Sequence, residues 1–302
     1  MIMQDVLDKA WLMIGRFVIP RNILFLIFNV MAYVIFYAPL NELLTLSLSY
    51  DELYSHIIII PLVSGYFIFL KRKEIASEMG YSPPFGIILI TGGLLLYMIA
   101  KMQGRYELNQ NDHLSLTIFS FLVVWIGGLI LCYGMQAVRK ISFPVLFLIF
   151  MIPIPTLIID NIILLLQIAS TETAYAFFKI TGVPILREGF IFHLPGLSIE
   201  VARECSGIRS SLSLLITSLM AGHLFLRTGS RKVLLALSIF PITIMKNGLR
   251  IVTLSLLGVY VDERILSSAL HRRGGIPFFL FALIFLGSIL WILRRSEKAG
   301  SE

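Results

Sequence analysis

The sequence predicts an all-α polytopic membrane protein: about eight transmembrane helices, one interfacial or re-entrant helix and a short β-hairpin at the outer face. Three observations carry this reading. Of the 302 residues, 57% are hydrophobic and only 14% are charged, against about 25% charged in an ordinary soluble domain. Several windows run ~15–20 residues without a charge, close to the length a helix needs to cross a hydrocarbon core. Basic residues gather at the ends of those windows, as membrane topology requires. Residues 1–302 are accordingly read as a single integral membrane domain.

The apolar runs place spans near 22–40, 54–70, 85–100, 114–138, 142–158, 207–226, 233–259 and 276–293. Pro83-Pro84 and Pro153-Ile154-Pro155 mark span boundaries, where the backbone donor that proline lacks would be unpaired anyway. A further apolar stretch, 160–180, is interrupted by Gln167, Ser170, Thr171, Glu172 and Thr173. That polar middle points to an interfacial or re-entrant helix, with a ninth crossing as the other reading. Residues 1–21 carry Asp5, Asp8, Lys9, Arg16 and Arg21 without a small-residue cleavage pattern. They are expected to form a cytoplasmic amphipathic lead-in rather than a signal peptide.

Direction follows from the basic clusters Lys71-Arg72-Lys73, Arg139-Lys140, Arg227 with Arg231-Lys232, and Arg294-Arg295 with Lys298. Eight crossings from a cytoplasmic N-terminus put all of them inside, together with Lys9, Arg16 and Arg21. Both termini then face the cytoplasm, residues 294–302 form a cytoplasmic tail, and the protein belongs in the cytoplasmic (inner) membrane. The net charge of +7 comes from this inner excess. No long basic segment with interleaved aromatics exists, which argues against a nucleic-acid partner. Several basic residues nevertheless fall outside, around 187–209 and 264–273. Either they serve an anionic ligand or transition state, or they are tolerated outer charges.

The segment "VARECSGIRSSLS", residues 201–213, places Cys205 at the outer N-terminal end of the span 207–226. The positive end of the helix and the arginines Arg203 and Arg209 favour a thiolate there, while Glu204 opposes them. Arg209 lies four residues on, along the same helical face. Cys132 sits 18 residues into its own span, roughly 27 Å from the outer end at helical rise, and is read as a packing residue. In "MKNGLRIVTL", residues 245–254, Lys246 and Arg250 share a helical face with Asn247 beside them. Ionisable residues inside a span cost ~2.5–3.5 kcal/mol and mark function by default; snorkelling is the other reading of Arg250. His56, His113, His193 and His271 all map to the outer face, so geometry alone does not choose among them. Between 182 and 204, Phe190, Phe192 and Leu194 alternate, then Leu197, Ile199 and Val201, across Pro195-Gly196. This is the pattern of a hairpin delivering the chain into Cys205.

"ECSGIRSS" opening an outer-facing span, "NGLRI" in the next and a histidine before the last together resemble the exosortase/archaeosortase family. "YDELYSHIIIIPL" is similar to the family's Tyr-Ser-His stretch, with Ile57 where a glycine often stands. "GVPILREGFIFHLPG" resembles the segment preceding the family's cysteine, and the resemblance covers most of residues 45–293. It implies a membrane-embedded cysteine transpeptidase, a sortase analogue on an unrelated all-helical fold. Its substrates would be exported proteins with a C-terminal sorting tail: a Pro-Glu-Pro-type motif, a transmembrane helix and a basic cluster. The enzyme would cleave at the motif through a thioester acyl-enzyme and transfer the product to a cell-surface acceptor. By matching motif, Cys205 is the nucleophile, Arg250 the essential arginine and His271 the essential histidine. His56 competes for the histidine role, and Arg209, Asn247, Ser206 and Gly207 are candidates for support or substrate binding.

Expected partners are the tailed proteins, membrane lipid and a surface acceptor that the sequence does not identify; hydrolysis instead of transfer is a variant. No cofactor is implied. No metal is expected, because Cys205 is the only outer cysteine and the outer histidines lack ligand spacing. The alternative class is a non-enzymatic transporter or polysaccharide-export assembly factor, with Lys246, Asn247 and Arg250 as a mid-membrane ligand site.

Overall fold

The computed structural model describes residues 21–48, 54–77, 80, 82–103, 108–262, 264 and 275–299. The lead-in up to residue 20 and the segment containing His271 lie outside the described residues. The chain divides into two compact units, Met1–Pro155 and Thr156–Glu302.

In the first unit, α1 (Arg21–Ile35) and α2 (Tyr37–Leu48) meet at a 77° bend. After them come α3 (Ile59–Leu70), α4 (Arg72–Ser77), α5 (Pro83–Gln103), α6 (Gln110–Tyr133), α7 (Met135–Lys140) and α8 (Ser142–Phe147), the last running into a 3-10 turn, Leu148–Met151. Prolines open α5 at positions where no helical donor is lost. Asn109 caps α6, its side chain accepting the Asp112 N–H at 2.8 Å. Two side-chain hydrogen bonds tie α1 to α6: the half-buried Trp125 indole N–H donates to Asn29 Oδ1 at 2.9 Å, and the Tyr133 hydroxyl donates to the exposed Asn22 Oδ1 at 2.9 Å.

Helices α5 and α6 run antiparallel in direct backbone contact. A Cβ placed on Gly86 would lie 2.9 Å from the Gly127 carbonyl, and one on Gly127 2.9 Å from the Gly86 carbonyl. Small residues at a crossing are how apolar helices gain van der Waals contact where lipid removes the hydrophobic drive.

The second unit holds α9 (Thr156–Thr181), a three-stranded antiparallel sheet of β1 (Leu186–Glu188), β2 (Ile191–Leu194) and β3 (Leu197–Glu200), and a 3-10 turn, Arg203–Ser206. Helices α10 (Ile208–Phe225), α11 (Gly229–Leu237), α12 (Ile239–Tyr260) and α13 (Gly275–Ala299) follow. The expected hairpin is present as β2–β3, turning at Pro195-Gly196 with Gly196 at φ +78°, and a short extra strand pairs on its free edge. Residues 294–299, expected as the start of a tail, continue α13.

Among the described residues, six helices are long and apolar enough to cross a membrane, seven if the bent α1–α2 pair is one span. The polytopic helical class therefore holds, with different bookkeeping of spans. The runs at 54–70 and 142–158 form shorter helices. The 12 residues of α3 rise ~18 Å, well short of a ~30 Å hydrocarbon core. The stretch 160–180, by contrast, lies within one uninterrupted helix of 26 residues that has the length and apolarity of a span. Of its polar middle, Gln167, Ser170 and Thr171 turn inward and are bonded there, while Glu172 stays exposed. Gln167 Nε2 donates to the Val201 carbonyl at 2.6 Å, and Thr171 Oγ1 to the Gln167 carbonyl at 2.7 Å.

Gly127→Leu is expected to wedge α5 from α6 and cost about 1–3 kcal/mol, read as a lower melting temperature of the detergent-solubilised protein. Gly92→Leu on α5, where an added Cβ meets nothing within 4 Å, should leave that temperature unchanged or raise it.

Candidate functional site

The site is built where the sheet returns the chain to the helices. Phe192 on β2 is fully buried, edge-on to Phe178 of α9 at 5.3 Å and stacked on Tyr175 at 6.4 Å. With Val201, Ile251 and Val252 these rings form the cluster that seats the sheet on the C-terminal halves of α9 and α12. The two helices run in the same direction. Asn247 bonds to Ser170, a Cβ on Gly248 would touch Thr173, and Ile251 and Val252 pack with Ala174 and Phe178.

Beyond β3 the chain enters the turn Arg203–Ser206, which carries Cys205, and then α10. Gly207 joins them in the left-handed conformation, φ +78°, which glycine alone adopts without cost. A Cβ there would also lie 3.1 Å from Asn247 Oδ1, so the turn is pressed onto the Asn247 amide. That amide is fully buried and donates to Ser170 Oγ at 2.9 Å. The Gly207 carbonyl accepts from the Ser210 and Ser211 hydroxyls at 3.0 and 2.7 Å. Ser210 Oγ in turn receives a hydrogen bond from the buried Lys246 ammonium.

These contacts bring Ser206, Gly207 and Asn247 together around the turn of Cys205. Arg250 lies one helical turn beyond Lys246 on α12 and is half-buried. Ser206 is completely buried, and its hydroxyl has no hydrogen-bond partner among the described residues. Arg209 occupies the first turn of α10 and is exposed. His56 belongs to the first unit, half-buried in the turn before α3; Tyr54 of the same stretch bonds to Asn111 at 2.7 Å. Cys132 is a buried, free thiol, as a packing residue should be.

Part of the basic excess around 187–209 is locally neutralised. Arg187 pairs with Glu172 at 2.7 Å, and Arg203 with Asp160. Sequence reading passed over Asp160, Gln167, Ser170 and Ser210 as site residues. The first three lie more than thirty positions before Cys205, and the only signal they left was the polarity of the 160–180 stretch.

The unit has two distinct ends. Glu297 accepts the backbone N–H groups of Arg227 and Thr228 at 3.0 and 2.9 Å and lies 3.8 Å from Arg231. Arg227, Arg231, Lys232, Arg294, Arg295 and Lys298 therefore share the end opposite the sheet. The 18 residues of α10, about 27 Å at helical rise, separate that end from the Cys205 turn. The turn itself is recessed: it meets α12 at Asn247, and α12 continues past it to Tyr260 alongside the sheet.

A family model described as transmembrane exosortase matches residues 47–288, well over half of the chain. The chain belongs to the transmembrane exosortase family. Nothing among curated proteins or solved structures matches it. The exosortase match runs from the end of α2 into α13 and includes the His56 turn, the sheet, the Cys205 turn and α12. This exosortase-family chain is an integral membrane protein, and its membership is consistent with a transmembrane transpeptidase role.

Gly207→Ala should strain the left-handed junction by about 1–2 kcal/mol and push the Cys205 turn off Asn247. The expected outcome is a lower melting temperature of the detergent-solubilised protein.

Proposed function

We propose that this protein is a membrane-embedded cysteine transpeptidase acting on exported proteins that carry a C-terminal sorting tail. The observation that carries the reading is the seating of the Cys205 turn on Asn247, within the exosortase match and three residues before Arg250 on the same helix. A nucleophile and its cationic partner need fixed elements to hold them, and this contact joins the two that bear them.

The Cys205 thiolate attacks the carbonyl of the scissile peptide. The uncapped N–H groups at the start of α10, whose N-cap is a glycine, and the Arg250 guanidinium stabilise the oxyanion. The C–N bond breaks as His271 protonates the leaving amine, which departs with the transmembrane helix and basic cluster of the tail. His271 then takes a proton from an incoming surface nucleophile, which attacks the thioester and releases the thiolate. Water in that place gives hydrolysis. Ser206 and Gly207 shape the turn, Asn247 holds it, and Arg209 and His56 are candidates for contacts to the tail. A Pro-Glu-Pro-type motif suits a site with an arginine nearby.

The basic end of the second unit belongs on the cytoplasmic side of the inner membrane and the sheet end outside, by the excess of positive charge inside. The active turn then sits near the outer interface, beneath the sheet, with both termini cytoplasmic.

A tail-bearing substrate co-expressed with wild type, Cys205→Ala and Cys205→Ser tests the reading by substrate size on a gel. Processing by wild type alone is expected. Processing that persists in Cys205→Ala would remove the nucleophile and favour a non-enzymatic transporter or assembly factor. Arg250→Lys keeps the charge but loses the planar fork of donors. It should reduce processing by roughly 100- to 1,000-fold, the cost of a lost oxyanion donor.

A further inference from the structure

The first unit contains a half-open cavity of about 570 Å³ between α1, α3, α4, α6 and α7. Phe25, Ile68, Leu129 and Val138 give it an apolar wall, and two cations, Arg72 and Lys73, stand in its lining. No acidic residue lines it among the described residues. The neighbouring Lys71 is already engaged, 3.9 Å from Glu74 and donating to the Lys140 carbonyl at 3.0 Å. Arg72 lies over the Phe69 ring at 4.1 Å and donates Nη1 to the Phe69 carbonyl at 3.0 Å. That leaves further guanidinium donors open. Lys73 has no hydrogen-bond or ion-pair partner among the described residues.

An apolar wall offers water no hydrogen bonds, so the volume suits a hydrocarbon occupant. Its size falls in the usual range of small-molecule sites, roughly 300–1,000 Å³. The cations demand an anion attached to that hydrocarbon. Arginine and lysine side by side recognise phosphate oxygens, and basic pockets between membrane helices take anionic headgroups. A zwitterionic lipid would fill the wall but bring its own cation to Arg72 and Lys73. A free phosphate would leave the wall unused.

We propose that this cavity binds an anionic glycerophospholipid, one acyl chain against Phe25, Ile68 and Leu129 and the phosphate on Arg72 and Lys73. The site lies within the first unit and does not depend on the transpeptidase reading. Gly65 on α3 provides a clean way to close it: the glycine lines the cavity, and an added Cβ meets nothing within 4 Å. Gly65→Phe therefore fills the space without displacing a neighbour at its first atom.

The test uses the full chain in detergent, with dioleoyl phosphatidylglycerol and dioleoyl phosphatidylcholine, read by native mass spectrometry and thermal melting. Wild type is expected to retain the phosphatidylglycerol in preference to the phosphatidylcholine and to melt higher in its presence. The Arg72→Gln/Lys73→Gln variant should bind phosphatidylglycerol roughly 30-fold more weakly, the effect of two basic residues at an anionic lipid surface. Its melting temperature in phosphatidylcholine should stay at the wild-type value. Gly65→Phe should abolish retention while melting at or above wild type without lipid. Equal retention of the two lipids by wild type, or phosphatidylglycerol binding unchanged in either variant, would overturn the proposal.

Discussion

The second unit depends on the requirement that a buried amide N–H be hydrogen-bonded. Asn247 is wholly enclosed in an apolar span, where an amide without a partner costs several kcal/mol. Its Nδ2 is bonded to Ser170 Oγ, itself fully buried, which holds α12 at one height along α9. The other side of the same amide supports Gly207. One side chain therefore sets the relation of three elements: the helix before the sheet, the turn after it and the helix bearing Arg250. Gln167 acts in the same sense one turn earlier on α9, meeting the Val201 carbonyl as the chain leaves β3.

The sheet is the second consequence. A small sheet has little stability of its own, and here it is seated by aromatic packing on α9 rather than by its own ladder. Its basic residues are anchored as well. Arg187 reaches back to Glu172, and Arg203 reaches Asp160, so the positive charge of this region is distributed along α9 as paired groups. Exposed pairs of this kind contribute little energy, typically about 0–1 kcal/mol. Their effect is on position and on net field: Arg209 and Arg250 sit in a region less positive than a count of arginines implies.

In the first unit, small residues have two opposite uses. At the α5–α6 crossing, Gly86 and Gly127 face each other and the backbones touch. On α3, Gly65 faces no partner and leaves open volume beside Arg72 and Lys73. The same residue type closes a gap where its counterpart is small and opens one where nothing comes to meet it.

Composition and charge placement alone determined that this is a helical membrane protein, because a charge deficit of this size has no other physical use. Local pattern was equally sufficient for the β2–β3 hairpin: side chains alternate with period two in any strand, and Pro195-Gly196 supplies the turn. The position of Cys205 just before the helix that begins at Ile208 was legible along the chain, whereas the left-handed conformation of Gly207 was not. The height at which that turn meets α12 was decided only by tertiary structure. So were the role of Ser170 and Gln167, and the continuity of the 156–181 helix. Read along the chain, their polarity argued for an interfacial helix; in the fold, the same side chains point inward to partners more than thirty residues away. Hydrophobicity reports how much of a segment avoids water, but not which neighbour satisfies the groups that do not.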